Sequence, residues 1–246
     1  MSRFFVDKKN IEENRIYITD KDDVKHLSKV LRHRIGDVIE ISDNDEYEYE
    51  IELESISSDS AYGKILVKRH FEREPFHRIT LYQGIPKQGK MELIIQKTVE
   101  LGVDRIIPVF SERTVVQDKG NFSKKTERWQ KIADEAVKQC RRGIIPSVEP
   151  AVSFSDLANE IKKNDINIFC YEDEKKTSLK EILRDERIKE CRTLGLIIGP
   201  EGGFSEKEYD MITSAGALSA SLGRTVLRVE TASVAAMAMV MYELEQ

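Results

Sequence analysis

Two stretches near the end of the chain combine residue types that can hold a small ligand. Gly199-Pro200-Glu201-Gly202-Gly203-Phe204-Ser205 places three glycines and a proline within five positions. Glycine admits backbone conformations closed to other residues and lets a ligand approach the main chain, while proline fixes its own φ. Ser221-Leu222-Gly223-Arg224-Thr225-Val226-Leu227-Arg228-Val229-Glu230-Thr231 adds apolar side chains, another glycine and two cations. Two such loops make an expected ligand crevice, the alternative being two tight turns that serve packing alone.

A third stretch, Gly84-Ile85-Pro86-Lys87-Gln88-Gly89-Lys90, fits the spacing of a phosphate-binding loop. Met91 follows where a hydroxyl would hold magnesium, and no later strand ends in the carboxylate a nucleotide hydrolase uses. A cationic turn at the mouth of a sheet fits better. No GxGxxG follows any strand, so a dinucleotide fingerprint is missing. His26, His33, His70 and His77 lie in the first third, with no serine or cysteine nucleophile at suggestive spacing. Cys140, Cys170 and Cys191 are far apart and odd in number, which gives neither a disulfide framework nor a metal spacing. No metal is expected.

The elements that must position these stretches follow from periodicity. Strands are expected at Asp37–Ser42, Tyr47–Ile56 and Tyr62–His70, and a helix from about Asp22 to Arg34 ended by Gly36. Over 46–54 the tyrosines and aliphatics alternate with five glutamates, which reads as one apolar face and one solvated face. The pattern changes at 72–77. Beyond it, strands at Ile79–Ile85, Arg105–Phe110, Asn167–Tyr171, Leu194–Gly199 and Ala217–Leu222 alternate with helices near Gly89–Leu101, Lys124–Arg141, Ser178–Glu190, Ser205–Ser214 and Ala232–Glu245. Alternation of this kind means a parallel sheet covered on both faces. The expected organisation is an α/β chain with a small β domain at 1–73 and a larger domain at 74–246. Both glycine-rich stretches then fall at carboxyl ends of parallel strands, where open α/β sheets bind ligands.

Composition sets the outer bounds. The chain has 246 residues, 40% of them hydrophobic, and a net charge of -5. No apolar run reaches the roughly 20 residues that span a bilayer, and the start lacks the apolar stretch of a signal peptide. A cytoplasmic protein with no membrane partner is expected. The charge is clustered: residues 43–54 hold seven acidic side chains and no basic one, whereas 119–142 hold eight Lys/Arg against three Asp/Glu. Local positive patches bind phosphates even on an acidic protein, because salt limits the reach of charge to about 8–10 Å.

Taken together, IGPEGGFS at Ile198–Ser205, LGRTVLRVETA at Leu222–Ala232 and QKTVELGV at Gln96–Val103 resemble the RsmE family of the SPOUT superfamily. HLSKVLRHRIGD at His26–Asp37 resembles that family's N-terminal RNA-binding segment. KQCRRGIIP at Lys138–Pro146 resembles a further family stretch, with Lys138 standing where Glu is expected. The resemblance covers nearly the whole chain. It implies S-adenosylmethionine-dependent methylation of N3 of a uridine in 16S rRNA of the small ribosomal subunit. It also implies a PUA-like β-barrel at 1–73, a SPOUT-type parallel sheet with a C-terminal trefoil knot at 74–246, and a homodimer whose interface uses the Ala- and Met-rich last helix. A non-catalytic RNA-binding or ribosome-assembly protein on the same scaffold is the alternative.

By position, the cofactor would lie among Tyr171 and Glu172, then Ile198, Gly199, Pro200, Glu201 and Gly202, and finally Leu222, Gly223, Thr225, Val226, Leu227 and Arg228. The acceptor N3 must lose a proton, so Glu201 is expected to take it and Arg228 to stabilise the uracil anion. Arg3, Lys25, Lys29, Arg32 and Arg34, with Lys87, Lys90, Arg141 and Arg142, are the expected phosphate contacts.

Overall fold

Continuous apolar runs become strands buried on both sides, and alternating runs become strands with one wet face. The computed structural model describes residues 3–87, 89–116 and 122–245. It resolves into two compact units, one comprising residues up to Glu74 together with Val137–Ile145, the other Pro75–Ala136 and Pro146 onward. Residues 137–145, expected in the second domain, count with the first unit.

In the first unit, β1 (Arg3–Phe5), β2 (Arg15–Ile18), β3 (Val38–Ser42), β4 (Tyr47–Ile56) and β5 (Ala61–His70) form a sheet in the order β1-β3-β4-β5-β2. Phe4, Ile16, Ile18, Leu27, Ile39, Ile41, Ile51 and Leu53 make its core. The glutamate face of β4 is not simply solvated. Glu48 is buried between Arg3 and Arg69, Glu50 accepts from Arg69, and Glu54 pairs with Arg15. Cross-strand pairing of Glu48 with Arg69 on β5 explains it, since opposed charges on neighbouring strands attract.

The expected 22–34 helix is shorter. An α-helix, α1 (Lys21–Lys25), capped by the Asp20 side chain, widens into one π-helical segment at His26–Val30. The chain leaves at Arg32, whose φ of 57° takes the left-handed place that usually falls to glycine, and His33 N–H closes on Leu27 C=O.

In the second unit, β6 (Arg78–Gly84), β7 (Arg105–Phe110), β8 (Ser147–Val148), β9 (Val152–Ser153), β10 (Ile166–Cys170), β11 (Thr193–Ile198) and β12 (Leu218–Ala220) pair in parallel. The order is β12-β10-β11-β6-β7-β8, with β9 also on β7. The helices are α2 (Lys90–Glu100), α3 (Phe122–Cys140), α4 (Phe154–Glu160), α5 (Leu179–Leu183), α6 (Glu186–Glu190), α7 (Glu206–Ser214) and α8 (Val229–Leu244). The last turn of α3 counts with the first unit. The single helix expected over 178–190 is two, because Asp185 turns its carboxylate onto Arg187 N–H and starts a new cap. One face of the sheet packs Tyr82, Ile107, Val109, Phe169 and Ile197 on Phe154, Leu157 and Ile212 from α4 and α7. Helices α2, α5 and α8 pack together away from that cluster, with α8 lying on β11. Among the described residues, no helix is long and apolar enough to cross a membrane.

Candidate functional site

Three adjacent parallel strands, β12, β10 and β11, end on one side of the sheet, and the loops that leave them enclose a cleft of about 420 Å³. Tyr171 and Glu172 come from the first loop, Ile198, Gly199, Pro200 and Glu201 from the second, and 221–228 from the third. The expected cofactor residues therefore meet in one place, except Gly202, which turns away and offers its carbonyl to Arg113 Nη1 at 2.9 Å. Lys90, Cys170, Gly203, Phe204 and Arg224 line the cleft as well. Of these, Lys90, Gly203, Phe204 and Arg224 lie in stretches already singled out; Cys170, at the end of β10, does not, and its place depends on which strands become neighbours.

Each loop is fixed by local chemistry. Ser205 and Glu208 form a capping box at α7, and Glu208 also accepts from Glu112 N–H at 2.8 Å, which seats the turn after β7 on the glycine-rich turn. Gly203 has φ 64°, and a Cβ there would stand 2.8 Å from Glu172 Oε1. Under the cleft, buried Ser233 on α8 donates to Gln83 Oε1 of β6 at 2.5 Å.

Glu201 does not cap α7. Its two oxygens each accept from Lys87 N–H at 3.1 Å, and Oε1 lies 3.0 Å from Lys90 Nζ. Burial pushes its carboxyl up, but its own backbone amide, the Lys90 ammonium and the Lys87 amide outweigh that and hold it below the usual carboxylate range. A carboxylate with two donors on it and a depressed pKa is a weak proton acceptor. Its geometry is that of a latch between the 199–203 turn and the start of α2. Arg228 is exposed at the N-cap of α8, where its side chain makes no capping hydrogen bond. Burial pushes the Cys170 thiol up to about 12, so it stays neutral and is no nucleophile.

The expected phosphate contacts divide. Lys25, Lys29, Arg32, Arg34 and Arg141 are exposed. Arg3 and Arg142 are not available: they are 8% and 6% exposed. Arg3 binds Glu48 and the carbonyls of Arg141 and Arg142, and Arg142 grips Glu74 at 2.8 Å. A buried guanidinium persists only when so paired, and these two brace the first unit. Lys90 is committed to Glu201 and Glu230.

The cleft is lined by backbone, apolar and charged groups together. Its size is within the usual range for organic ligands. Val226 is left 79% exposed at its rim, an apolar surface that a flat ring would cover. A Cβ on Gly223 would meet no atom within 4 Å, so the backbone there is open.

Residues 72–241 match the family model of the RNA methyltransferase domain, and 18–66 that of the RNA methyltransferase PUA domain. The chain is 32% identical over 252 residues to Ribosomal RNA small subunit methyltransferase E of Bacillus subtilis, covering 100% of this chain and 98% of that protein. The protein of the same name from Buchnera aphidicola of Acyrthosiphon pisum is 35% identical over 92% of this chain and 88% of its own. In three dimensions the chain resembles the Neisseria gonorrhoeae Ribosomal RNA small subunit methyltransferase E bound to S-adenosyl methionine. That match has a TM-score of 0.85 and 30% identity over 98% and 97% of the two chains. With its cleft at the strand ends and both family models matched along its length, the chain belongs to the RNA methyltransferases of the small-subunit methyltransferase E family.

Proposed function

We propose that the protein transfers a methyl group from S-adenosylmethionine to N3 of a uridine in 16S rRNA of the small ribosomal subunit, in the cytoplasm and as a homodimer. The observation that carries this is the convergence of three strand-end loops on one cleft with an exposed apolar rim, two carboxylates and two exposed arginines. The bound cofactor supplies a methyl group already activated on a sulfonium, so the chain needs no acid to prepare it. With the cofactor bound, backbone groups of Leu222, Val226 and Leu227 would read the adenine edge, and Tyr171, Glu172 and the 198–201 turn would hold the remainder. Arg228 stabilises the negative charge that develops on the uracil oxygens as N3 loses its proton. Glu201 keeps the turn in register, and the proton leaves through the open cleft to solvent. The target base must be splayed out to reach this depth.

The knot of the SPOUT superfamily belongs to this reading, with α8 in its threaded segment. Helix α8 also supports a dimer, since between Glu230 and Glu243 apolar residues recur all round it. Val229, Ser233, Ala236, Met237 and Val240 face inward, while Met239 and Tyr242 stay exposed. The first unit supplies the RNA surface through Lys25, Lys29, Arg32, Arg34 and Arg141. A left-handed non-glycine residue costs about 1 kcal/mol, and Arg32, at φ 57°, is exposed. Replacing Arg32 and Arg34 by alanine should weaken RNA binding and flatten the slope of log affinity against log salt by roughly 1.5. An unchanged slope in the folded variant removes this surface.

The reaction is tested with labelled S-adenosylmethionine and small subunits from cells lacking the modification, mapping the product by mass spectrometry. One methyl per subunit on N3 of a 16S uridine is the expected result. Cofactor binding without transfer would point to a different RNA. Absence of both would leave an RNA-binding scaffold.

A further inference from the structure

Lys90 opens α2 and faces the cleft, its Nζ 3.0 Å from Glu201 Oε1 and 3.2 Å from Glu230 Oε2. The three residues come from three elements: the start of α2, the turn after β11 and the first turn of α8. Both carboxylates raise the affinity of the ammonium for its proton, so it remains a cation. The same ammonium helps hold both carboxyls below their usual range, behind the Glu201 and Glu230 backbone amides. The cluster thus carries two negative charges and one positive charge at the wall of the cofactor cleft.

We infer that Lys90 sets the discrimination between the sulfonium donor and the thioether left after transfer, by cancelling one of the two carboxylate charges beside the cleft. This rests on the cofactor assignment above. In the transfer, the sulfur–methyl bond breaks with its electron pair returning to sulfur. The carbon–N3 bond forms from the pair on N3, and the N3 proton passes to solvent. Sulfur loses its charge, so every interaction between sulfur and a fixed charge is present with the donor and absent with the product. Two uncompensated carboxylates would favour the donor and deepen its ground state without equal gain at the transition state, where the charge is already fading. Lys90 removes part of that excess. The cost is a weaker preference for donor over product.

The test is calorimetric titration of S-adenosylmethionine and S-adenosylhomocysteine into the full chain and its Lys90→Met, Lys90→Arg and Glu201→Gln variants. In Lys90→Met the ratio of the product's Kd to the donor's Kd should rise about five-fold, the scale of one unit charge in a partly solvated cleft, and the rise should shrink at high salt. Lys90→Arg should restore the ratio, and Glu201→Gln should lower it. A purely structural Lys90 would weaken both ligands alike, and an unchanged ratio in Lys90→Met and Glu201→Gln overturns the inference while leaving the cofactor assignment standing. A wild-type chain that binds neither ligand overturns the assignment itself, and the inference with it.

Discussion

Gly84→Ala is expected to destabilise the protein by about 3 kcal/mol and to remove cofactor binding. Gly84 is the last residue of β6, and a Cβ there would stand 2.5 Å from both Cδ and N of Pro200 and 2.8 Å from C of Gly199. These are backbone atoms and a ring closed on the backbone, so no rotamer change relieves the overlap. Either β6 parts from β11 or the 199–203 turn lifts. Lifting the turn draws Glu201 off the Lys87 amide and Lys90, which opens one wall of the cleft. Gly89, five residues on in the same loop, is the internal comparison. It has φ 87° with nothing within 4 Å of its would-be Cβ. Gly89→Ala should therefore cost only about 1 kcal/mol of backbone strain. Thermal unfolding should show Gly84→Ala lower by about 5–10 °C. Titration should show undetectable binding in Gly84→Ala and affinity within about two-fold of wild type in Gly89→Ala. Equal loss of affinity in both variants would contradict the contact between the two turns.

That contact also marks where the sequence stops being legible. Strands β6 and β11 are readable as apolar runs ended by Gly84 and Gly199, and β7 starts and stops where the pattern predicts. The short strands β1, β2, β8 and β9 carry too few residues for a period to register. Helix α4 was missed although Ser153 and Asp156 stand at capping distance before it. Two of the three cleft loops stand out by glycine after an apolar strand, whereas Tyr171 and Glu172 come only from the family resemblance. The partners of Glu201 were not legible. Lys87 and Lys90 are over a hundred positions away, and only the pairing of β6 with β11 brings the two turns together. Arg3 and Arg142 failed for a related reason. A cation in sequence looks solvated until its carboxylates, here Glu48 and Glu74, are folded around it. The basic residues Lys25, Lys29, Arg32 and Arg34 are exposed, while Val24 and Leu27 of the same segment face the core.

Arg228→Ala is expected to lower kcat for methyl transfer by about 10²–10³ while leaving the Kd for S-adenosylmethionine within about three-fold. Of the three cations that line the cleft, Lys90 is spent on Glu201 and Glu230, whereas Arg224 and Arg228 stay exposed, and Arg228, at the start of α8, acts on Glu230 only through space. Its backbone starts α8, but its side chain caps nothing, so truncation leaves the helix intact. The guanidinium is therefore separable from the fold, and its loss should fall on the step in which the uracil becomes an anion. Arg228→Lys should recover part of the rate, because a point charge remains while the planar fork that spans two oxygens is gone. The pH profile distinguishes this from simple misplacement of substrate. A cation beside the uracil eases loss of the N3 proton, so its removal should move the rising limb of kcat toward higher pH. Glu201, held ionised below the usual carboxylate range, adds no limb near neutrality, and Glu201→Gln should leave that limb where it is. Should Glu201→Gln remove the limb and Arg228→Ala leave it unmoved, the proton goes to the carboxylate after all, and the roles given to these two residues must be exchanged.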